Sequence, residues 1–331
     1  VGSYGVTPVG LTSDNYVIQF VDGSLDITKA PLTVTADANV ETAAVDAFSK
    51  VYGSANPAFT VRYGGFVLGQ GSSVLGGTLG FMTTATASSD VASYSVTPGG
   101  LTSSNYQIQF VHGTLAVTKA PLLVKVDANP ATPVQEPFTK LYGAGDPAYS
   151  VRYEEFVLGQ DASVLGGTLT YTTTAPPSGV GAAVVTAIGQ TSSNYAIQYV
   201  SGTLNIQYRW DGYLQPINDT AHMVDVSESK FRFGQTIPVK FNIKRADGTI
   251  VQQSGSPTFT YGFVNATCDS SLTSESLPDG VAPSGGQVFD WDGTKYQYNW
   301  STKGLNKQGE YRVYANLADG TRRHVDICLT K

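Results

Sequence analysis

Charge is scarce in this 331-residue chain. Asp, Glu, Lys and Arg together make up 14% of it, well below the roughly 25% of ordinary soluble domains. The 20 basic residues are scattered, which excludes an electrostatic footprint for nucleic acid and a basic helix for a membrane surface. No apolar run approaches the roughly 18 residues of a spanning helix, so direct membrane insertion of this segment is not expected. The opening residues VGSYGVTP have neither a basic nor an apolar targeting region, so any export or anchoring signal is expected elsewhere. Methionine occurs only twice, and no stretch carries an amphipathic 3.6-residue period, which argues against helices. The three histidines, His112, His222 and His324, stand apart from other ligands at metal-binding spacing. No nucleophile elbow, phosphate loop or dinucleotide fingerprint occurs. Catalysis is not expected, and neither is a cofactor.

What the chain does have is Gly (36), Tyr (19), Val and Thr in quantity, the composition of strands and tight turns. It also repeats itself. TSDNYVIQFVDGSLDITKAPLTV at Thr12 returns as TSSNYQIQFVHGTLAVTKAPLLV at Thr102 and as TSSNYAIQYVSGTLNIQ at Thr191. A spacing of about ninety residues marks tandem modules. A second stretch, SKVYGSANPAFTVRYGGFVLGQGSSVLGGTL at Ser49, returns only once, as TKLYGAGDPAYSVRYEEFVLGQDASVLGGTL. Three ends and two beginnings place the opening residues inside a repeat.

In each copy Tyr106, Ile108 and Phe110, or their equivalents, alternate with polar residues, and Leu115 and Val117 resume the pattern. With a glycine between the two runs, this predicts a β-hairpin turning at Asp22-Gly23, His112-Gly113 and Ser201-Gly202. His112 is Asp or Ser in the other copies, which marks a turn residue and not a ligand. Pro31 and Pro121 are expected to interrupt the chain between modules, and so short a link predicts a stiff rod. The segments around Gly71 and Asp161 predict one helical turn, capped by Ser72 or Asp161 and closed by Gly77 or Gly167. The resulting divisions are 1–28, the end of a truncated copy; 29–118 and 119–207, two full copies; and 208–331, a separate C-terminal β-sandwich. That last part alternates Ile237, Val239, Phe241 and Ile243, then Tyr296, Tyr298 and Trp300, then Tyr311, Val313 and Ala315. The expected fold is all-β: tandem small sandwiches of Ig-like type, or β-grasp-like if the short helix forms, strung in a rod ahead of a C-terminal sandwich.

Candidate sites concentrate in the last part. Cys268 and Cys328 predict one disulfide in an exported protein, with two buried thiols as the alternative. Asp290 and Asp292, in DWDGTKY, form the start of a calcium loop that lacks its final Glu. The expectation there is a hairpin turn, with weak structural calcium as the alternative. Asn218, Asn265 and Asn299 each stand in an Asn-x-Ser/Thr triplet and are glycosylation candidates where a host has the machinery. Trp210, Tyr213 and Trp291 are candidate sugar-stacking or junction aromatics, whereas Trp300, inside a strand alternation, is expected in the core.

The KVYG and KLYG tetrapeptides, the Asn56-Pro57-Ala58-Phe59 and Asp146-Pro147-Ala148-Tyr149 stretches, GFVLGQ, EFVLGQ and the closing SSNYxIQ…GTL resemble the MBG domains of YGX type in large bacterial surface proteins. TIPVKFNIKRADG, with Pro238, Lys240 and Phe241, resembles the PxKF domain of exported bacterial proteins. Both resemblances imply an extracellular or cell-surface setting, a structural or adhesive role, and no catalytic residue. The partners they leave open are neighbouring surface modules, a glycan or a host protein. A first copy without its opening strands leaves an unpaired edge, and such edges recruit strands from other chains. A head-to-tail filament is therefore one expectation, and a fragment boundary at Val1 is the other.

Overall fold

A computed structural model describes residues 1–268 and 287–331. The described residues form strands joined by turns, with no α-helix among them. Two compact units are present. The first holds Val1–Leu122, Glu155–Gly166 and Thr191–Gln198, and the second holds Leu123–Glu154, Gly167–Gln190 and Tyr199–Lys331.

In the first unit one full repeat folds into two sheets. Val61–Gly64, Ala30–Ala36 and Tyr106–Val111 form the three-stranded sheet, in that order. Phe48–Val51, Gly113–Thr118, Ser93–Thr102 and Gly76–Met82 form the four-stranded one. Alternating residues meet between the sheets. Leu32, Val34 and Tyr106 pack with Ile108 and Phe110, and Ala36, Phe48, Val96 and Leu115 pack with Phe59 and Phe81. The second copy has the same strand orders. This is an all-β, Ig-like sandwich.

The strands predicted to form a hairpin do not pair with each other. Tyr106–Val111 runs parallel to Ala30–Ala36 in one sheet, whereas Gly113–Thr118 runs parallel to Phe48–Val51 in the other. The His112-Gly113 turn is therefore a passage between sheets. Pro31 lies inside a strand. Pairing on the Val61–Gly64 side begins only at Thr33, so the missing proline N–H removes no bond there.

The predicted helical turn shrinks to three-residue 3-10 turns at Ser72–Val74 and Ala162–Val164. That removes the β-grasp alternative, which needs a helix. Asp161 does cap its turn, accepting from the Ser163 N–H at 2.8 Å. Ser72 does not cap, because Gly71 occupies that position, and Leu75 and Leu165, not the glycines, close the turns.

Residues 1–28 contribute two strands, Gly2–Val6 and Gly23–Ile27, with Tyr4 opposite Leu25. This is the register of Tyr94 opposite Leu115 in the full copy. Leu115 is 0% exposed and Leu25 is 54% exposed, because no other described strand covers it. Residues 16–21 form no strand. The equivalent Tyr106–Val111 gains its order from a parallel partner, Ala30–Ala36, and no described strand plays that part for the first copy.

A buried carboxylate fixes the loop that varies most between copies. Asp37, fully buried, accepts from the N–H groups of Asn39 (3.0 Å) and Asp46 (2.9 Å) and pairs with Arg62 at 2.5 Å. Asp127 and Arg152 repeat the pair at 3.0 Å. Burial alone pushes the Asp37 carboxyl up, but the two backbone donors and Arg62 outweigh it and hold the group below its usual range. A depressed carboxyl stabilises the fold above its unfolded pKa of about 3.9 and loses that contribution as pH falls through the folded value. Acid unfolding of the 30–118 copy is therefore expected to steepen below about pH 4. The Asp37→Asn variant should show a flatter pH profile. Equal slopes in the two proteins, followed by circular dichroism, would remove Asp37 from the account.

The C-terminal part is a second kind of sandwich, in the second unit. One sheet has the order Tyr213–Leu214, Thr236–Phe241, Tyr296–Ser301, Asp290–Trp291. The other has the order Ser229–Arg232, Arg322–Thr330, Gly309–Asn316, Thr258–Asn265. Ile237, Val239, Phe241 and Ile243 are all 0% exposed, as the alternation requires. Trp300 joins Phe259 and Tyr311 in the core.

Candidate functional site

In both copies the Tyr-Gly pair that ends the short second strand forms a corner. Tyr52 follows Phe48–Val51, and its N–H donates to the Thr118 carbonyl at 2.8 Å. Tyr142 does the same to Gln207 at 2.7 Å. Each tyrosine is thereby fixed at the exit end of its copy, facing what comes next in the chain.

Within the first unit, Tyr52 docks on the turn Phe156–Gln160. Its ring meets Tyr195 edge-on, with centroids 5.6 Å apart and planes at 80°. Gln160 Nε2 donates to Tyr52 Oη at 2.9 Å, and Tyr195 Oη donates to Gln160 Oε1 at 2.6 Å. Gly53, at φ +86°, lies so close that a Cβ there would sit 2.6 Å from Val157 Cγ2. Beside it, Asn194 Nδ2 donates to Asp90 Oδ1 at 2.7 Å and Asn194 Oδ1 accepts from the Val91 N–H at 3.0 Å. The linker Lys119 donates to the Ser192 carbonyl at 2.8 Å. An edge-on aromatic pair adds about 0.5–1.5 kcal/mol beyond its area, and each neutral hydrogen bond adds about 1 kcal/mol.

Within the second unit, Tyr142 meets Tyr208 edge-on at 5.8 Å, under the Arg245 guanidinium at 5.1 Å from the ring centroid. Its carbonyl accepts from the Ala246 N–H at 2.8 Å. A Cβ on Gly143 would lie 2.9 Å from Arg245 Nε. Burial pushes the Tyr208 phenol up to about 12, and the nearby Asp319 carboxylate adds to this. The same dipeptide therefore serves two junctions whose receiving surfaces differ. Sequence reading quoted KVYG and EFVLGQ as family motifs but gave Tyr52, Gly53, Val157 and Gln160 no docking role. The available signal was that KxYG and FVLGQ are unchanged between copies whose neighbouring loops diverge.

The structure places the predicted residues as follows. Cys268 and Cys328 are bonded to each other. Tyr213 is fully buried, with its hydroxyl donating to the Arg323 carbonyl at 2.9 Å, so it cannot stack on a sugar. The stretch around it looks irregular in sequence but supplies an edge strand of the sandwich. Trp210 is half-buried against Tyr213 and Phe241, and it cements the C-terminal core. Trp291 is half-buried beside Tyr296 on an edge strand. Asp292 Oδ1 accepts from the N–H groups of Thr294 and Lys295, both at 2.9 Å, and Asp292 Oδ2 pairs with Lys295. It is a turn residue whose oxygens are already used. Asp290 is exposed on the adjoining strand. Among the described residues no three His, Cys, Asp or Glu side chains come together as a metal site. His222 pairs with the buried Asp219 at 2.9 Å, while His112 and His324 are exposed.

Asn218 is half-buried, and its amide donates to the Ser227 carbonyl at 3.0 Å. Asn265 is half-buried at a strand end, and Asn299 is exposed, accepting from Gln297. Of the three triplets, Asn299 is the one whose asparagine is exposed.

No curated protein matches the sequence. Among solved structures, the chain is similar to the titin Ig tandem domains A164-A165 (9% identity, 49% of this chain and 80% of that one, TM-score 0.17). It is also similar to domains 4–9 of the surface layer protein SbsC (14%, 82% and 42%, TM-score 0.18). A third is Bacteroides ovatus SGBP-B of a mixed-linkage glucan utilization locus, in complex with a mixed-linkage heptasaccharide (8%, 100% and 71%, TM-score 0.18). No helix of the described residues is long and apolar enough to cross a membrane. Residues 32–116 and 136–205, the two stretches that carry the Tyr-Gly corners, match the family model of the MBG domain, YGX type.

Proposed function

We propose that this chain is a non-enzymatic, load-bearing stretch of a bacterial extracellular stalk, fibre or adhesin. The carrying observation is the pairing of the strands that begin and end each module. Ala30–Ala36, which opens a copy, is held by six parallel residue pairs to Tyr106–Val111. Gly113–Thr118, which closes it, is held by four parallel pairs to Phe48–Val51. Phe138–Leu141 and Gly202–Gln207 repeat the second arrangement, and Ser229–Arg232 and Arg322–Thr330 give the C-terminal sandwich a parallel clamp of its own. Tension on the ends of a module slides a parallel pair lengthwise. All its hydrogen bonds then resist together, whereas an end-on pull opens an antiparallel hairpin bond by bond.

The disulfide suits an oxidising, extracellular compartment, and the PxKF-like sandwich fits the same setting. The finer form of this reading is head-to-tail polymerisation, in which a neighbouring chain adds a strand beside the exposed pair Gly2–Val6 and Gly23–Ile27. A glycan-binding tip has less to work with, since Tyr213 is buried and Trp210 packs into the core.

Single-molecule stretching through residues 1 and 331 tests the reading. The two repeats are each expected to give a discrete high-force event releasing roughly 300 Å of contour less the folded length, from about 90 residues at 3.3–3.6 Å each, besides a separate event from the clamped C-terminal sandwich. Smooth extension without discrete events would remove the load-bearing role.

A further inference from the structure

The socket that receives Tyr52-Gly53 exists a second time in the first unit, uncovered. In the receiving turn, Val157 N donates to Tyr195 Oη at 3.1 Å, Tyr195 Oη donates to Gln160 Oε1 at 2.6 Å, and Phe156 meets Tyr195 edge-on at 5.4 Å. One repeat earlier, Val67 N donates to Tyr106 Oη at 3.2 Å, Tyr106 Oη donates to Gln70 Oε1 at 2.6 Å, and Phe66 meets Tyr106 edge-on at 5.4 Å. Leu68 and Leu158 share a left-handed backbone, at φ 56° and 57°. The linkers match too, since Lys29 donates to the Ser103 carbonyl at 2.8 Å as Lys119 does to Ser192. The exposure differs. Leu68 is 92% exposed against 46% for Leu158, and Val67 and Gln70 are exposed where Val157 and Gln160 are half-buried.

We infer that the Phe66–Gln70 turn, with the Tyr106 hydroxyl behind it, is a docking surface for the undocked Tyr-Gly corner of another YGX-type module. The occupant follows from the occupied site on the same chain. Gln70 is set to donate to a phenol oxygen, as Gln160 does. Tyr106, buried beneath the turn, fixes the Gln70 carboxamide through its hydroxyl, as Tyr195 fixes Gln160. Val67 presents an apolar surface that only a residue without a Cβ can approach as closely as Gly53 approaches Val157. Both Tyr-Gly corners of this chain are already engaged, at Phe156–Gln160 and at Tyr208 with Arg245, so a second copy of the same chain has none free. The inference concerns this surface and stands whether or not the chain bears load.

The two cysteines are bonded to each other, so a single introduced thiol reports on one place. Val67→Cys is prepared in the 331-residue chain and in a chain where a second copy of residues 29–118 directly precedes Lys29, keeping the native Thr118-Lys linker. Alkylation of Val67→Cys by a small thiol reagent is expected to be roughly tenfold slower in the extended chain, as for a site reached only by local opening. Val157→Cys should be slow in both. Tyr52→Ala in the added copy alone should restore fast labelling at Val67→Cys and leave Val157→Cys slow. Equal labelling of Val67→Cys in the two chains, with the melting enthalpy grown in proportion to the added copy, overturns the inference. So does concentration-dependent protection of Val67→Cys in the unextended chain, which assigns the surface to self-association.

Discussion

Reducing the bond between Cys268 and Cys328 is expected to destabilise the C-terminal sandwich by about 4 kcal/mol, the chain-entropy value for a closed loop of some sixty residues. The two cysteines are separated by 60 in sequence. Cys328 is fully buried in Arg322–Thr330, an interior strand of its sheet, with Lys230 on one side and Glu310 on the other. Cys268 follows Thr258–Asn265, the outer strand of the same sheet. The bond therefore limits how far that outer strand can stray in the unfolded chain. For a domain of about 120 residues, 4 kcal/mol corresponds to a fall in melting temperature on the order of 15 °C. The 30–118 copy has no cysteine, so its transition should not move. Calorimetry with and without reductant, repeated on the paired Cys268→Ser and Cys328→Ser variant, separates the two transitions. A shift below about 3 °C in the sandwich would mean that the reduced chain is already as constrained as the oxidised one.

Strands were legible in this sequence because a sheet buried on one face imposes a period of two. Ile237, Val239 and Phe241 alternate with Pro238 and Lys240, and the buried and outward sets separate in that way. Tyr106-Ile108-Phe110 and Leu115-Val117 do mark strands. Their partners were not legible, since alternation reports which face is buried and is silent on which sheet the strand joins. The strand reading of residues 16–21 failed for a related reason. The pattern of Tyr16, Ile18 and Phe20 is that of a strand, but a strand is stable only beside another. The docking corners were hidden by sequence distance. Tyr52 and Tyr195 meet across most of two modules, and no local rule couples them. The sugar-stacking alternative for Tyr213 fails for the same reason. A two-residue strand is too short to show a period, and its burial comes from Phe241 and the residues around it.

Gly113→Ala is expected to cost the 30–118 copy about 3 kcal/mol, the upper end for overpacking a well-filled site. Sequence reading explains this glycine by a turn that needs positive φ, and that explanation predicts equal losses at Gly23, Gly113 and Gly202. The structure gives a different cause. None of the three has a left-handed backbone. At Gly113 the chain crosses from one sheet to the other directly over Ala36, and a Cβ would stand 2.4 Å from the Ala36 carbonyl oxygen and 3.1 Å from the Ala36 Cβ. Gly202 crosses over Val126 in the same way, with the carbonyl oxygen at 2.6 Å. Both obstacles include backbone, and Ala36, Leu115, Val126 and Leu204 around them are fully buried, so the added methyl can be accommodated only by moving the sheets apart. Gly23 occupies the same place in the repeat, yet its nearest neighbour is the Val6 carbonyl oxygen at 4.0 Å, since no second sheet covers it here. Gly23→Ala should therefore be neutral, or stabilising by some 0.4–1 kcal/mol through the unfolded chain. Denaturant titration of the three single variants decides between the causes. Losses at Gly113 and Gly202 with none at Gly23 support the inter-sheet crossing, and three equal losses restore the turn. A second full YGX-type copy that completed the first module around residues 1–28 would bring a covering sheet with it, and Gly23→Ala would then become as costly as Gly113→Ala.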